Sequence, residues 1–154
     1  MADNKSTLAT IEETLDLYFG QKAPALPQNI KELLVRIAPW VTLILLIISL
    51  PLVLFALGLG AIVAPFAFLL GPAYGVSYGI HYTLGMLILA VCLLLEALSI
   101  PGLFKRTVQG WKYAYYANLV GVVSNLITLN IFSAIVGGAI GFYILFQIRS
   151  LYHE

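Results

Sequence analysis

The apolar positions of this chain fall into two regimes. Near the start they recur at helical spacing among charged residues: Leu8, Ile11, Leu15 and Phe19 share one side, and Glu12, Glu13 and Asp16 fall mostly on the other. Asp3, Asn4 and Ser6 offer N-caps and Gly20 a stop, so an amphipathic helix is expected there. Pro24 and Pro27 mark a linker, and Ile30, Leu33, Leu34 and Ile37 then predict a second amphipathic helix with Lys31, Glu32 and Arg36 at its polar positions. The first is too charged to span a bilayer, and the second feeds directly into the membrane. The acidic face of the first argues against binding anionic lipid, which favours Lys and Arg on that face, and for packing against protein.

Beyond Arg36 the pattern becomes nearly continuous apolar sequence, broken by proline, glycine or a short polar stretch. The expected spans are 40–59, 83–100, 113–129 and 131–147, each close to the roughly 20 residues a hydrocarbon core requires. Pro51 predicts a kink within the first, Pro101-Gly102 closes the second, and the polar break 128–130 makes a tight hairpin of the last two. The stretch 61–70 is apolar but covers only about 15 Å as a helix, and it contains Pro65 and lies between Gly60 and Gly71-Pro72. It is expected to be a short non-spanning helix, interfacial or re-entrant, on the extracytoplasmic side. Tyr74, Tyr78, His81 and Tyr82 suit the interface where the chain turns back, and Trp40, Trp111, Tyr113 and Tyr116 are expected as interface anchors at the other side.

The predicted fold class is thus an all-α membrane protein: four transmembrane helices, N-terminal cytoplasmic amphipathic helices and a short extracytoplasmic helix. Its domains are 1–36, the amphipathic helices and Pro-containing linker, and 37–154, the four-helix transmembrane bundle. Composition agrees, with 61% of the 154 residues hydrophobic and 10% charged, where a soluble domain carries about 25% charged residues. The net charge of +1 gives no reason to expect a nucleic-acid partner. All eight Lys and Arg residues lie in the N-terminal region, in the loop with Lys105, Arg106 and Lys112, or at Arg149. By the positive-inside rule this places both termini in the cytoplasm for four spans, whereas a fifth span at 61–70 would put the basic loop outside. No removable signal peptide is expected, and the cell (inner) membrane is the expected location.

Candidate chemistry is sparse. Cys92 is the only cysteine, and no catalytic, cofactor or metal motif is found; His81 and His153 fall on opposite sides of the membrane and cannot share a metal. Gly85, Cys92, Glu96 and Ser99 lie along one face of the second span, and Asn118, Gly121, Asn125 and Thr128 along one face of the third. Two polar stripes in a bundle this apolar should face each other, as a structural hydrogen-bonded seam or as a pathway for an ion or small solute. An intramembrane cluster of Glu96, Asn118, Asn125 and Gln147 is therefore expected, with Glu96 hydrogen-bonded to Asn118 and Gln147 or a snorkelling Arg106 completing the shell. Ser133, Gly137 and Gly141 repeat every four residues, a spacing that permits close helix packing inside the monomer or in a homo-oligomer.

The segments LYFGQKAPALPQNIKELLVRIAPW, PGLFKRTVQGWKYAYY and FQIRSLY resemble those of small, uncharacterised bacterial membrane proteins over most of the chain. The resemblance implies a four-span bacterial membrane protein and transfers no activity and no site residue. The leading expectation is a non-enzymatic scaffold or accessory subunit without cofactor, partnered by the lipid bilayer and by further copies or an unidentified membrane protein. The alternative is a small oligomeric transporter or channel built around the Glu96 stripe. A membrane enzyme ranks third, because no nucleophile is paired with a base.

Overall fold

The computed structural model describes residues 7–153. They form helix α1 (Thr7–Leu15), a π-helical segment (Asp16–Lys22), and four long helices: α2 (Gln28–Leu69), α3 (Pro72–Phe104), α4 (Val108–Ile127) and α5 (Ile131–Ile148). A 3-10 turn (Arg149–Leu151) follows, and among the described residues the only β-type pairing is an isolated bridge between Thr107 and His153. The N-cap residues expected at Asp3, Asn4 and Ser6 lie outside the described residues.

The expected separate helix at 61–70 is not found. α2 runs without interruption through Pro39, Pro51 and Pro65, so the second amphipathic segment, the first span and the stretch 61–70 are one helix of 42 residues. Each proline removes one backbone donor and leaves the carbonyl four residues earlier without its usual partner. In an apolar sequence with no competing water, the remaining ladder still favours helix over any break, because an open segment would expose many unpaired groups. The chain turns instead at Gly71, whose φ of 123° is open to glycine and strained for other residues, and Pro72 starts α3 at a position that needs no N–H donor. α3 therefore begins eleven residues before the expected second span and continues past Pro101 to Phe104.

α2, α3 and the stretch Ile131–Leu151 are long and apolar enough to cross a membrane. α4, expected as a span, has 20 residues but carries Gln109, Lys112, Asn118, Ser124 and Asn125, and this polar content keeps it out of that group. Its ends are well specified: Thr107 Oγ1 accepts from Gly110 N at 3.3 Å at the start, and Thr128 Oγ1 donates to Ser124 O at 3.0 Å at the end. Asn130 Oδ1 similarly accepts from Ser133 N at 3.5 Å where α5 begins.

Successive helices are antiparallel neighbours, α3 packing on both α2 and α4, and α4 on α5. Glycine sets the closest approach. A Cβ on Gly102 would lie 2.4 Å from Gly110 Cα, so α3 and α4 touch backbone to backbone at their tight turn. Farther along, Gly60 of α2 receives the Tyr82 ring, 2.0 Å from where a Cβ would stand, and the Tyr82 hydroxyl donates to Leu57 O at 2.8 Å. Tyr78 stacks on Tyr82 with centroids 6.0 Å apart. Two of the four residues expected at a water interface thus pin α2 to α3.

The packed core is concentrated at one end, that of the basic residues. Val35, Leu103, Trp111, Tyr115, Phe142, Phe146, Ile148 and Tyr152 form it. Trp111 is 1% exposed, contrary to its expected role as an interface anchor. Its indole Nε1 donates to Leu145 O at 2.7 Å, and its ring stacks on Tyr115 and meets Phe146 edge-on, which satisfies both its polar and its apolar parts inside protein. Trp40, by contrast, is 56% exposed and abuts the Phe104 ring at 5.2 Å; Tyr113 is also exposed and Tyr116 half-buried against Tyr115.

Toward the other end the bundle opens. Helix α4 is level with α3 at Ala117 and Cys92, where Sγ lies 3.8 Å from the Ala117 carbonyl, so α4 ends about level with Tyr82. The remainder of the α2–α3 hairpin, 61–81, projects about 15 Å farther. The groove along it is lined by residues of α2 and α3 alone, among them Ala64, Phe68, Gly75 and Val76. Leu69 and Leu70 at its tip are among the most exposed apolar residues described.

Candidate functional site

Two places bring polar side chains together. The first is the basic end, where the N-terminal segment is clasped onto α5. Gln147 is 2% exposed and works in both directions: its Oε1 accepts from Leu26 N at 3.1 Å, and its Nε2 donates to Phe19 O at 3.0 Å and Gly20 O at 3.5 Å. These backbone groups sit at the end of the π segment and in the proline linker, where regular helix pairing stops. A primary amide, with both donor and acceptor, suits such frayed backbone. Tyr143 adds a bond to Pro24 O at 2.8 Å. Arg149 closes the clasp, reaching Glu12 at 2.8 Å and Asp16 at 3.3 Å while its guanidinium lies 4.9 Å over the Trp111 ring. The acidic face of α1 is thus turned toward a basic residue of the same chain. Gln147 is therefore not part of the Glu96 cluster in which it was expected.

Between this clasp, the start of α2 and the start of α4 lies a cavity of about 570 Å³ with Asp16, Lys31 and Arg149 on its walls. These three side chains leave it a net charge of +1. Tyr152 beside it is buried, and burial pushes its phenol up to about 12 against a smaller opposing effect of Arg106.

Breaking the clasp gives a direct check. Gln147→Leu should leave the Leu26 amide and the Phe19 carbonyl without partners, at about 1–3 kcal/mol for each buried group. The expected result is faster proteolysis between residues 16 and 28, with the four long helices retained in circular dichroism. Unchanged cleavage kinetics would mean that Gln147 does not hold the segment.

The second place is the meeting of the two polar stripes. Thr42 and Leu45 of α2, Cys92, Glu96 and Ser99 of α3, and Ala114, Ala117, Asn118 and Gly121 of α4 line one cavity of about 260 Å³. Cys92, Glu96 and Ser99 of one stripe face Asn118 and Gly121 of the other here, while Gly85, Asn125 and Thr128 do not border the cavity, and among the described residues Glu96 and Asn118 share no hydrogen bond. Asn118 is turned toward α5: a Cβ on Gly141 would lie 2.4 Å from its Oδ1 and 2.8 Å from its Nδ2. That Nδ2 is buried and has no partner. The other polar groups are largely self-satisfied, with Ser99 Oγ donating to Glu96 O at 2.7 Å and Thr42 Oγ1 to Ala38 O at 3.0 Å. Asn125 turns back on its own helix, donating to Gly121 O at 2.9 Å, and neither it nor Arg106 borders the cavity.

The small-residue repeat on α5 is rotated from the expected one. Gly137 has open space where a side chain would project, and the helix contact is made by Gly138, where a Cβ would stand 2.6 Å from Val122 Cγ2. Of the expected trio, Gly141 lies in the α4 contact and Ser133 at the N-terminal turn of α5. Two adjacent glycines lie about 100° apart around a helix, so the sequence alone left the inward one undetermined.

The residues missed by sequence reasoning are those of the clasp. Arg149 four residues after Leu145, beside an isolated glutamine in an apolar helix, was the available signal, since a glutamine there demands polar partners. No family model, curated protein or solved structure is matched by this chain.

Proposed function

We propose that this is a non-enzymatic integral membrane protein of the bacterial inner membrane, a scaffold or accessory subunit acting through helix packing. The observation that carries the reading is the projecting α2–α3 hairpin. Uncharged sequence runs from Ile37 through Leu95, and α2 alone is about 63 Å long. A hydrocarbon core is about 30 Å thick, and helix tilts of up to about 40° cannot absorb the excess. The tip would therefore carry exposed Leu69, Leu70 and Phe66 beyond the span of α4 and α5. Apolar surface of that kind is stabilised by covering it with another membrane protein or further copies of this chain.

In this reading α2 to α5 supply four spans, with both termini cytoplasmic and the hairpin tip on the far side. The test of orientation is single-cysteine labelling in a Cys92→Ser background with an impermeant reagent on intact cells. Tyr74→Cys should react and Gln109→Cys should not; the reverse would invert the topology. The test of function is native mass spectrometry of mildly solubilised material. Wild type should carry a bound protein or further copies, and Leu69→Lys/Leu70→Lys should release them. A bare monomer in both samples would remove the scaffold reading.

A second reading, a small oligomeric transporter, is favoured by the cavity at Glu96. Proteoliposomes holding wild type or Glu96→Gln would decide it by cation-driven flux, expected in the first and lost in the second.

A further inference from the structure

We propose that the cavity between α2, α3 and α4 is a binding site for a small organic ammonium ion, with the Glu96 carboxylate as its counter-charge. Glu96 is the only charged residue between Arg36 and Lys105. It lies eight residues before the end of α3, about 12 Å along the helix from its basic end. No described residue gives its carboxylate an ion pair or a hydrogen bond, and no basic side chain borders the cavity. A carboxylate at that depth is costly unless it meets a cation or holds a proton, and the space beside it is large enough for a ligand.

The walls decide which cation. A hard metal ion seeks six or more oxygens at short range. Here the side-chain oxygens are those of Glu96, Thr42, Ser99 and Asn118, and the rest of the lining is methyl, methylene and thiol from Ala114, Ala117, Leu45 and Cys92. An ammonium on a short carbon chain fits that mixture, with one charged contact at Glu96 and apolar contacts elsewhere. The Asn118 amide is turned toward Gly141 of α5, so Glu96 is left as the charged contact. The cavity is lined by α2, α3 and α4, and α2 and α4 pack little against each other. The same chemistry can therefore arrive as a free amine or as the ethanolamine headgroup of a lipid. The site rests on the cavity and not on transport: binding without flux keeps it while removing the transporter reading.

Cys92 borders the cavity and is the only cysteine, so its alkylation by a small uncharged maleimide reports occupancy. The full chain in phosphatidylglycerol nanodiscs would be titrated with ethanolamine, ethylammonium and sodium. Ethanolamine and ethylammonium should both slow alkylation in wild type, with sodium without effect at equal ionic strength. Glu96→Gln should weaken protection by about tenfold or more, as expected for a lost charged contact, while Glu96→Asp retains part of it. Gly121 borders the cavity and a Cβ there has nothing within 4 Å, so Gly121→Leu should remove protection, whereas Gly85→Leu, at a position that also has open space but does not border the cavity, should not. A parallel sample in phosphatidylethanolamine nanodiscs separates the sources: slow alkylation before any addition assigns the site to the headgroup, and protection by added amine alone assigns it to a free solute. Equal protection in wild type and Glu96→Gln, protection by sodium equal to that by ethanolamine, or no protection by amine or lipid would overturn the proposal.

Discussion

Gly110→Val is expected to lower the thermal unfolding midpoint by about 6–12 °C in detergent, the shift that roughly 3 kcal/mol produces in a chain of this size. The position is set by backbone, not by flexible side chains. A Cβ on Gly110 would lie 2.3 Å from the Gly102 carbonyl carbon and 2.5 Å from Leu103 N, so two helix axes must separate to admit it. Separation at that point also pulls on Leu103 and Trp111, both in the core. Gly85→Val and Gly137→Val, at positions with open space, serve as controls and should be neutral or slightly favourable, because valine is a better helix former than glycine. Similar losses at all three positions would show that α3 and α4 do not meet at Gly102 and Gly110. If Gly137→Leu leaves folding intact but changes oligomeric state, that open face is a seam between copies.

Trp111→Ala is the second large effect, expected to cost about 3–5 kcal/mol as a large-to-small change in a packed site. The indole touches α5 through Leu145 O, stacks on Tyr115, meets Phe146, and supports the Arg149 guanidinium. Its removal therefore opens the core and loosens the clasp together. Trp111→Phe separates the two contributions: it keeps most of the ring contacts and loses the hydrogen bond, so its cost should be near 1–2 kcal/mol. Chemical unfolding followed by helical signal reads both. A Trp111→Ala loss no larger than that of an exposed-site Trp40→Ala would contradict the placement of Trp111 in the core.

Trp111 also shows where the sequence stops being informative. A tryptophan beside Lys112 at the end of an apolar segment has the pattern of a membrane-interface belt, and nothing local distinguishes that from a buried ring. The partners that bury it, Leu145 and Phe146, are more than thirty residues away. The boundaries at Gly71-Pro72 and Thr128 were legible, because glycine, proline and a polar break act locally; the cap at Thr107 was not, and α4 starts five residues before the expected 113. Continuity past Gly60 and through Pro65 was not, since proline's cost depends on what the alternative backbone would face, and in apolar surroundings the alternative is worse. At the candidate site, spacing alone was enough to bring Cys92, Glu96 and Ser99 opposite Asn118 and Gly121. Spacing could not supply side-chain direction: Asn118 turns to Gly141, and Gln147 belongs to backbone some 120 residues earlier.

That last separation bears on how the chain matures. Residues 19–26 find their partners in Gln147 and Tyr143, among the last residues of the described chain, so during synthesis the N-terminal segment waits while four helices are made. Contacts of such high sequence separation form late and are reached only after the intervening loop entropy has been overcome. The acidic and apolar faces of α1 remain available to the ribosome surface, to lipid or to chaperones throughout that interval. A truncation that removes residues 143–153 would leave them so permanently, and quality-control proteases would meet an exposed N-terminal segment on a nearly complete bundle.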